Sequence, residues 1–123
     1  MDIYRETILD HYKHPQHFGR IPKPTASASM ANTVCGDRIT MDIMIEDGVV
    51  TDVAFSGEGC AISMASASLL TETVLGKKGD DIMKLTAGDI FALLGTTLTP
   101  SRVKCALLPL EVLQKVVILA IKK

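Results

Sequence analysis

The chain has 123 residues, room for one hydrophobic core but not two, so residues 1–123 read as a single domain. With 47% hydrophobic and 22% charged residues it lies in the globular range and away from disordered compositions. Thirteen Lys and Arg against fourteen Asp and Glu give a net charge of −1. That balance lacks the basic excess a phosphate backbone needs and argues against a nucleic-acid partner.

The first element in chain order is a short amphipathic helix from Asp2 to Lys13, carrying Ile3, Ile8, Leu9 and Tyr12 near helical spacing. Pro15 ends it, because Pro disfavours a helical residue before it. Residues 15 to 33 hold Pro15, Pro22 and Pro24 with no apolar period and read as an irregular crossing segment. Ile39, Met41, Ile43 and Ile45 then alternate with more polar residues, and Asp47-Gly48 supplies the positive φ angles of a tight hairpin before Val49 to Ser56.

Gly57-Glu58-Gly59 breaks the strand pattern, and a run of small and aliphatic residues from Ala61 to Leu75 reads as a helix packed on the sheet. Cys60 stands at its N-terminus. Asp80–Leu85 and Thr86–Leu94 read as two short peripheral helices, the second opened by Thr86 and Asp89 as a capping box. The last helix, Ser101 to Lys122, repeats Val103, Leu107, Leu110, Leu113 and Val117 at core-facing steps. Pro109 lies inside it, has no amide for the carbonyl of Cys105, and predicts a kink there.

The longest apolar run, Val116 to Ile121, is far too short to cross a bilayer, and Asp2, Arg5 and Glu6 interrupt the start where a signal peptide needs an apolar core. The expectation is a cytoplasmic protein with no membrane association. Three cysteines, an odd number without a secretory signal, fit metal or thiol chemistry better than disulfides.

Cys35, Cys60 and Cys105 each sit where the chain can turn a thiol towards a common point: a hairpin start, a helix start and the first turns of another helix. Gly36 lets Cys35 and Asp37 face one ion, which makes Asp37 a candidate fourth ligand. Three thiolates and a carboxylate suit Zn(II) or an iron–sulfur cluster, and the spacing does not separate the two. Such a site keeps about −2 formal charges around a +2 centre. The helix end at Cys60, with Arg102 and Lys104 beside Cys105, is expected to offset them and to lower the thiol pKa values. An oxygen donor matches a soft metal less well than a further thiolate, which points to a bound group meant to be exchanged.

His11, His14 and His17 are three apart, but Pro15 breaks the face they would share, so they read as solvated or structural. Ser63, Ser66 and Ser68 have no base partner in view and read as small helix-packing residues.

At these residues the chain resembles the U-type iron–sulfur cluster assembly scaffolds, the IscU, NifU N-terminal and SufU proteins, over nearly its whole length. Residues 4 to 15 look like the family's N-terminal helix, and 32 to 37, 57 to 68 and 102 to 107 look like its three cysteine motifs. The resemblance implies an α+β domain, a three-stranded antiparallel sheet with helices packed on one side, whose third strand comes from about Ala26 to Ala31. It implies Cys35, Asp37, Cys60 and Cys105 as ligands of zinc or of a labile [2Fe-2S] cluster, with Cys105 as the sulfur acceptor. It also implies a cysteine desulfurase and cluster-recipient apoproteins as partners; Tyr4 reads as an ordinary packed residue, with a join between two copies of the chain as the alternative.

Several positions depart from the family pattern. The Pro of the motif Asn-Pro-x-Cys-Gly-Asp is Thr33, the His before the third cysteine in IscU is Lys104, and the chaperone-binding Leu-Pro-Pro-Val-Lys is replaced by residues 98 to 104. The second and third motifs look more like SufU, yet the insertion usual in SufU between the last two cysteines is missing. The leading expectation is a scaffold without turnover. A zinc-dependent sulfurtransferase is the alternative, and a structural zinc domain the third.

Overall fold

In the computed structural model, residues 3–32, 36–95, 98 and 100–122 are described. The elements run α1 (Ile3–Lys13), β1 (Ala26–Asn32), β2 (Asp37–Glu46), β3 (Val49–Glu58), α2 (Ala61–Val74), α3 (Gly79–Met83), α4 (Ala87–Leu94) and α5 (Pro100–Ile121). The strands form one antiparallel sheet in the order β1-β2-β3.

Period-two alternation selects the faces of this sheet. Met41 of β2 pairs with Ala28 and Phe55, and Ile43 pairs with Ala26 and Val53, so these side chains share one buried face. Asp47 (φ 53°) and Gly48 (φ 78°) form the expected tight turn between β2 and β3. The crossing segment does contain a strand, as the resemblance implied. Its alternation is of Ala with Ser, Ala26 and Ala28 inward and Ser27 and Ser29 outward, a weak signal because neither residue favours strands strongly.

Helices α2 and α5 pack on the buried face of the sheet and on each other. The inward surface of α5 is Ala106, Leu108, Leu110, Val112, Leu113, Val116, Val117 and Ala120, all within the core. Each buried Leu or Val there contributes roughly 1.5–3 kcal/mol of transfer free energy. That surface is wider than the expected stripe, and Val103 and Leu107 are half-buried. The helix runs through Pro109. The expected capping box of α4 is present, with the Asp89 carboxylate accepting from the Thr86 amide at 2.8 Å. Helices α3 and α4 are not merely peripheral, because Ile82, Ile90 and Leu94 lie in the core.

In α1 only part of the expected face is inward. Ile8 is buried, whereas Leu9 and Tyr12 are exposed. His11 turns inward instead, its Nδ1 2.7 Å from the Ser68 hydroxyl, and His17 Nδ1 lies 3.3 Å from that of Thr71. These bonds give both histidines structural roles.

The other face of the sheet carries a buried carboxylate that the sequence reading missed. Asp42 accepts from Arg20 Nε (2.7 Å) and Nη2 (3.2 Å), from the Ile21 amide (3.0 Å) and from the Ser27 hydroxyl (2.6 Å). The irregular segment is therefore tied down twice. His17 and Gly19 bond the backbone of Phe55 at the outer edge of β3, and Arg20 and Ile21 clamp Asp42 in the middle of β2. Burial pushes the Asp42 pKa up, but the bonds from Arg20, Ser27 and Ile21 outweigh it and hold the carboxyl below its ordinary value.

Candidate metal centre

The ends of three elements meet at one point. Asp37 opens β2, Cys60 is the N-cap of α2, and Cys105 lies in the second turn of α5. One ligand atom from each, the Asp37 carboxylate oxygen and the two Sγ atoms, lies within 4.8 Å of the others. Among the described residues this is the one cluster of three or more His, Cys, Asp or Glu side chains close enough to hold an ion.

Local sequence accounts for each placement. Gly36 takes φ +73° just before β2, a conformation that favours Gly, and Asp37 pairs across the sheet with Asn32. Cys60 has extended backbone (φ −71°, ψ 170°), its carbonyl accepts from Met64, and its side chain makes no capping bond. Its amide instead donates to Asp37 Oδ1 at 3.0 Å. A carboxylate at a helix N-terminus satisfies an otherwise orphaned donor and complements the helix dipole.

Gly59 makes the close approach possible, since a Cβ there would stand 3.0 Å from Asp37 Oδ1 and 3.2 Å from Ser63 Oγ. Ser66 ties α2 to α5 beside the site, donating to the Ala106 carbonyl at 2.7 Å.

The cluster suits a thiophilic metal. Two thiolates about 2.3 Å from a tetrahedral ion stand about 3.8 Å apart, so ligand atoms no farther apart than 4.8 Å close on an ion with small adjustments. Asp37 is 1% exposed, and its Oδ2 is buried without a hydrogen-bond partner. A carboxylate oxygen in that state has a free lone pair for a cation and is costly without one.

Of the predicted site residues, Asp37, Cys60 and Cys105 come together, while Cys35 lies outside the described residues. Gly36 is exposed in the turn before β2. Cys105 is 1% exposed and Cys60 is half-buried, so the expected sulfur acceptor is the less accessible of the two thiols. The reason is its place on the inward face of α5. Arg102 and Lys104 are exposed, and no pairing of Lys104 with Asp37 is made among the described residues. Adjacent helical side chains diverge by about 100°, so turning Cys105 inward turns Lys104 out.

Comparison with known proteins agrees with this architecture. The model of the NifU-like N-terminal domain matches residues 3–122. The chain belongs to the NifU-like N-terminal domain family. Within the family it is 36% identical to the zinc-dependent sulfurtransferase SufU of Bacillus subtilis, over 92% of this chain and 88% of that one. It is also 36% identical to the iron–sulfur cluster assembly scaffold protein IscU of Thermotoga maritima, over 92% and 91%. Among solved structures it resembles a candidate iron–sulfur cluster assembly scaffold protein for the SUF system from Fervidobacterium islandicum, with a TM-score of 0.77, 30% identity and coverage of 91% and 94%. No helix among the described residues is long and apolar enough to cross a membrane.

Ser63 escaped the sequence reading, which grouped it with Ser66 and Ser68. Those two have protein hydrogen-bond partners, whereas the Ser63 hydroxyl, fully buried, has none. The sequence signal for it is its spacing, three residues after the N-cap cysteine, the N3 position that faces the N-cap at a helix start.

Proposed function

We propose that the chain is a scaffold on which an iron–sulfur cluster is assembled and from which it is passed on. The observation that carries this is the convergence of the Asp37 carboxylate with the thiols of Cys60 and Cys105, all ligand atoms within 4.8 Å. Cys35, two residues before Asp37, is the fourth ligand in this reading. Thiolates select iron–sulfur units or zinc, and the carboxylate keeps one bond weak enough to exchange. The cargo is a [2Fe-2S] cluster. Its source of sulfur is a cysteine desulfurase, and its destinations are cluster-recipient apoproteins.

Sulfur arrives by thiol exchange. A scaffold thiolate attacks the terminal sulfur of the desulfurase persulfide, the S–S bond breaks, and the electron pair leaves with the desulfurase cysteine as thiolate. Cys105 is the proposed acceptor. Because it is buried, its reaction follows displacement of the first turns of α5 by the docked desulfurase, and Cys60 is the thiol reached first.

The test is anaerobic incubation with ferrous iron and sulfide, followed by assay of iron, acid-labile sulfide and zinc per monomer. Near-equal iron and sulfide, lost in both Cys60→Ala and Cys105→Ala, is the expected result.

A second reading, a zinc-dependent sulfurtransferase, is favoured by the likeness to SufU and by Lys104, which cannot ligate while protonated. The same residues would hold the zinc, which would anchor the thiolates and give up one to sulfur. Tightly held zinc with no sulfide uptake would select this reading over the scaffold.

A further inference from the structure

Two buried side-chain oxygens at the site lack a hydrogen-bond partner, Asp37 Oδ2 and Ser63 Oγ. The first is explained by its place in the ligand set. The second is not, since Ser63 is 0% exposed and a buried hydroxyl without a partner costs about 1–3 kcal/mol. A helix-packing role calls only for a small residue at this position, and Ala would fill it at no such cost.

Ser63 stands close to the Asp37 carboxylate of the site. One point beside Gly59 lies 3.2 Å from Ser63 Oγ and 3.0 Å from Asp37 Oδ1. Ser63 is also the N3 residue of α2, whose N-cap is Cys60, the two positions that face each other in a capping box. Asp37 Oδ1 already accepts from the Cys60 amide. A metal-bound thiolate is a far stronger acceptor than a thiol, so ligation of Cys60 creates the acceptor that this donor lacks.

We propose that Ser63 is a positioning residue of the site, donating its Oγ–H to the Cys60 thiolate when that thiolate binds a metal. Hydrogen bonds to ligand sulfurs draw electron density from them and tune the bound centre. This rests on the reading of Asp37, Cys60 and Cys105 as ligands.

Cobalt(II) tests it, because a tetrahedral thiolate site gives a sulfur-to-cobalt charge-transfer band whose energy follows the electron richness of the sulfur. The full chain and Ser63→Ala are titrated with cobalt(II) alone, and their metal-free melting temperatures are compared. The expected result is a band shifted to longer wavelength in Ser63→Ala, with a metal-free melting temperature equal to or above that of the parent. An unshifted band on an intact parent site would overturn the role of Ser63 alone. A lower melting temperature for metal-free Ser63→Ala would overturn it too, by making the hydroxyl structural. No charge-transfer band in the parent would overturn the ligand reading and this proposal with it.

Discussion

The amide of Cys60 donates a 3.0 Å hydrogen bond to Oδ1 of Asp37, leaving Oδ2 of the same carboxylate buried and without a partner. One oxygen thus orients the side chain against the start of α2, and the other is the atom left for a cation. The bond also couples the two elements, so displacing Asp37 disturbs the first turn that carries Cys60.

That coupling runs through the space at Gly59. Gly59→Ala places a methyl group 3.0 Å from Asp37 Oδ1 and 3.2 Å from Ser63, a contact that forces the carboxylate aside. The expected cost is about 1–3 kcal/mol together with weakened zinc binding. Gly57→Ala meets the Arg38 carbonyl oxygen at 2.0 Å from a residue at φ +138°, and its expected cost is about 3 kcal/mol or more. Thermal melts and chelator competition check both: the Gly57 variant loses more stability, and the Gly59 variant loses zinc affinity even where it remains folded.

The two described thiols differ in burial. Cys60 is half-buried and Cys105 is 1% exposed, so alkylation of the metal-free protein is expected to label Cys60 at least about 10-fold faster, since reaction at a buried thiol waits for local opening. Mass spectrometry after timed labelling measures this. Addition of a cysteine desulfurase is expected to raise the Cys105 rate, and an unchanged rate would count against Cys105 as acceptor.

The Asp42 clamp gives the fold an acid-sensitive joint. Its carboxyl is held below its ordinary value, so the stabilisation is fully present above the unfolded value of about 3.9 and is lost as pH falls through the lower folded value. Asp42→Ala leaves the Ile21 amide and the Ser27 hydroxyl without their acceptor and is expected to cost about 1–3 kcal/mol near neutral pH. Denaturant melts at pH 7 and pH 3 check it. The difference between parent and variant should shrink at the lower pH.

Much of this architecture was legible in the sequence. Ile39, Met41 and Ile43 with Asp47-Gly48 marked the hairpin because strong hydrophobes alternate there. Strand β1 was hidden because its inward residues, Ala26 and Ala28, carry little hydrophobic contrast with serine, and only the family resemblance located it. Leu9 and Tyr12 of α1 misled because the hydrogen bond of His11 to Ser68 sets which face turns inward. At the site, Asp37, Cys60 and Cys105 could be chosen by residue type and position. The partnerless hydroxyl of Ser63 could not, since satisfaction of a hydrogen bond depends on neighbours brought in by the fold.

The central claim is that this is a site for exchange, with the Asp37 carboxylate as its weak bond. The most direct measurement loads parent and Asp37→Cys anaerobically with iron and sulfide and follows the acid-labile sulfide retained on each during challenge with a chelator. A thiolate in place of the carboxylate is expected to lengthen retention several-fold. Equal or shorter retention would contradict it.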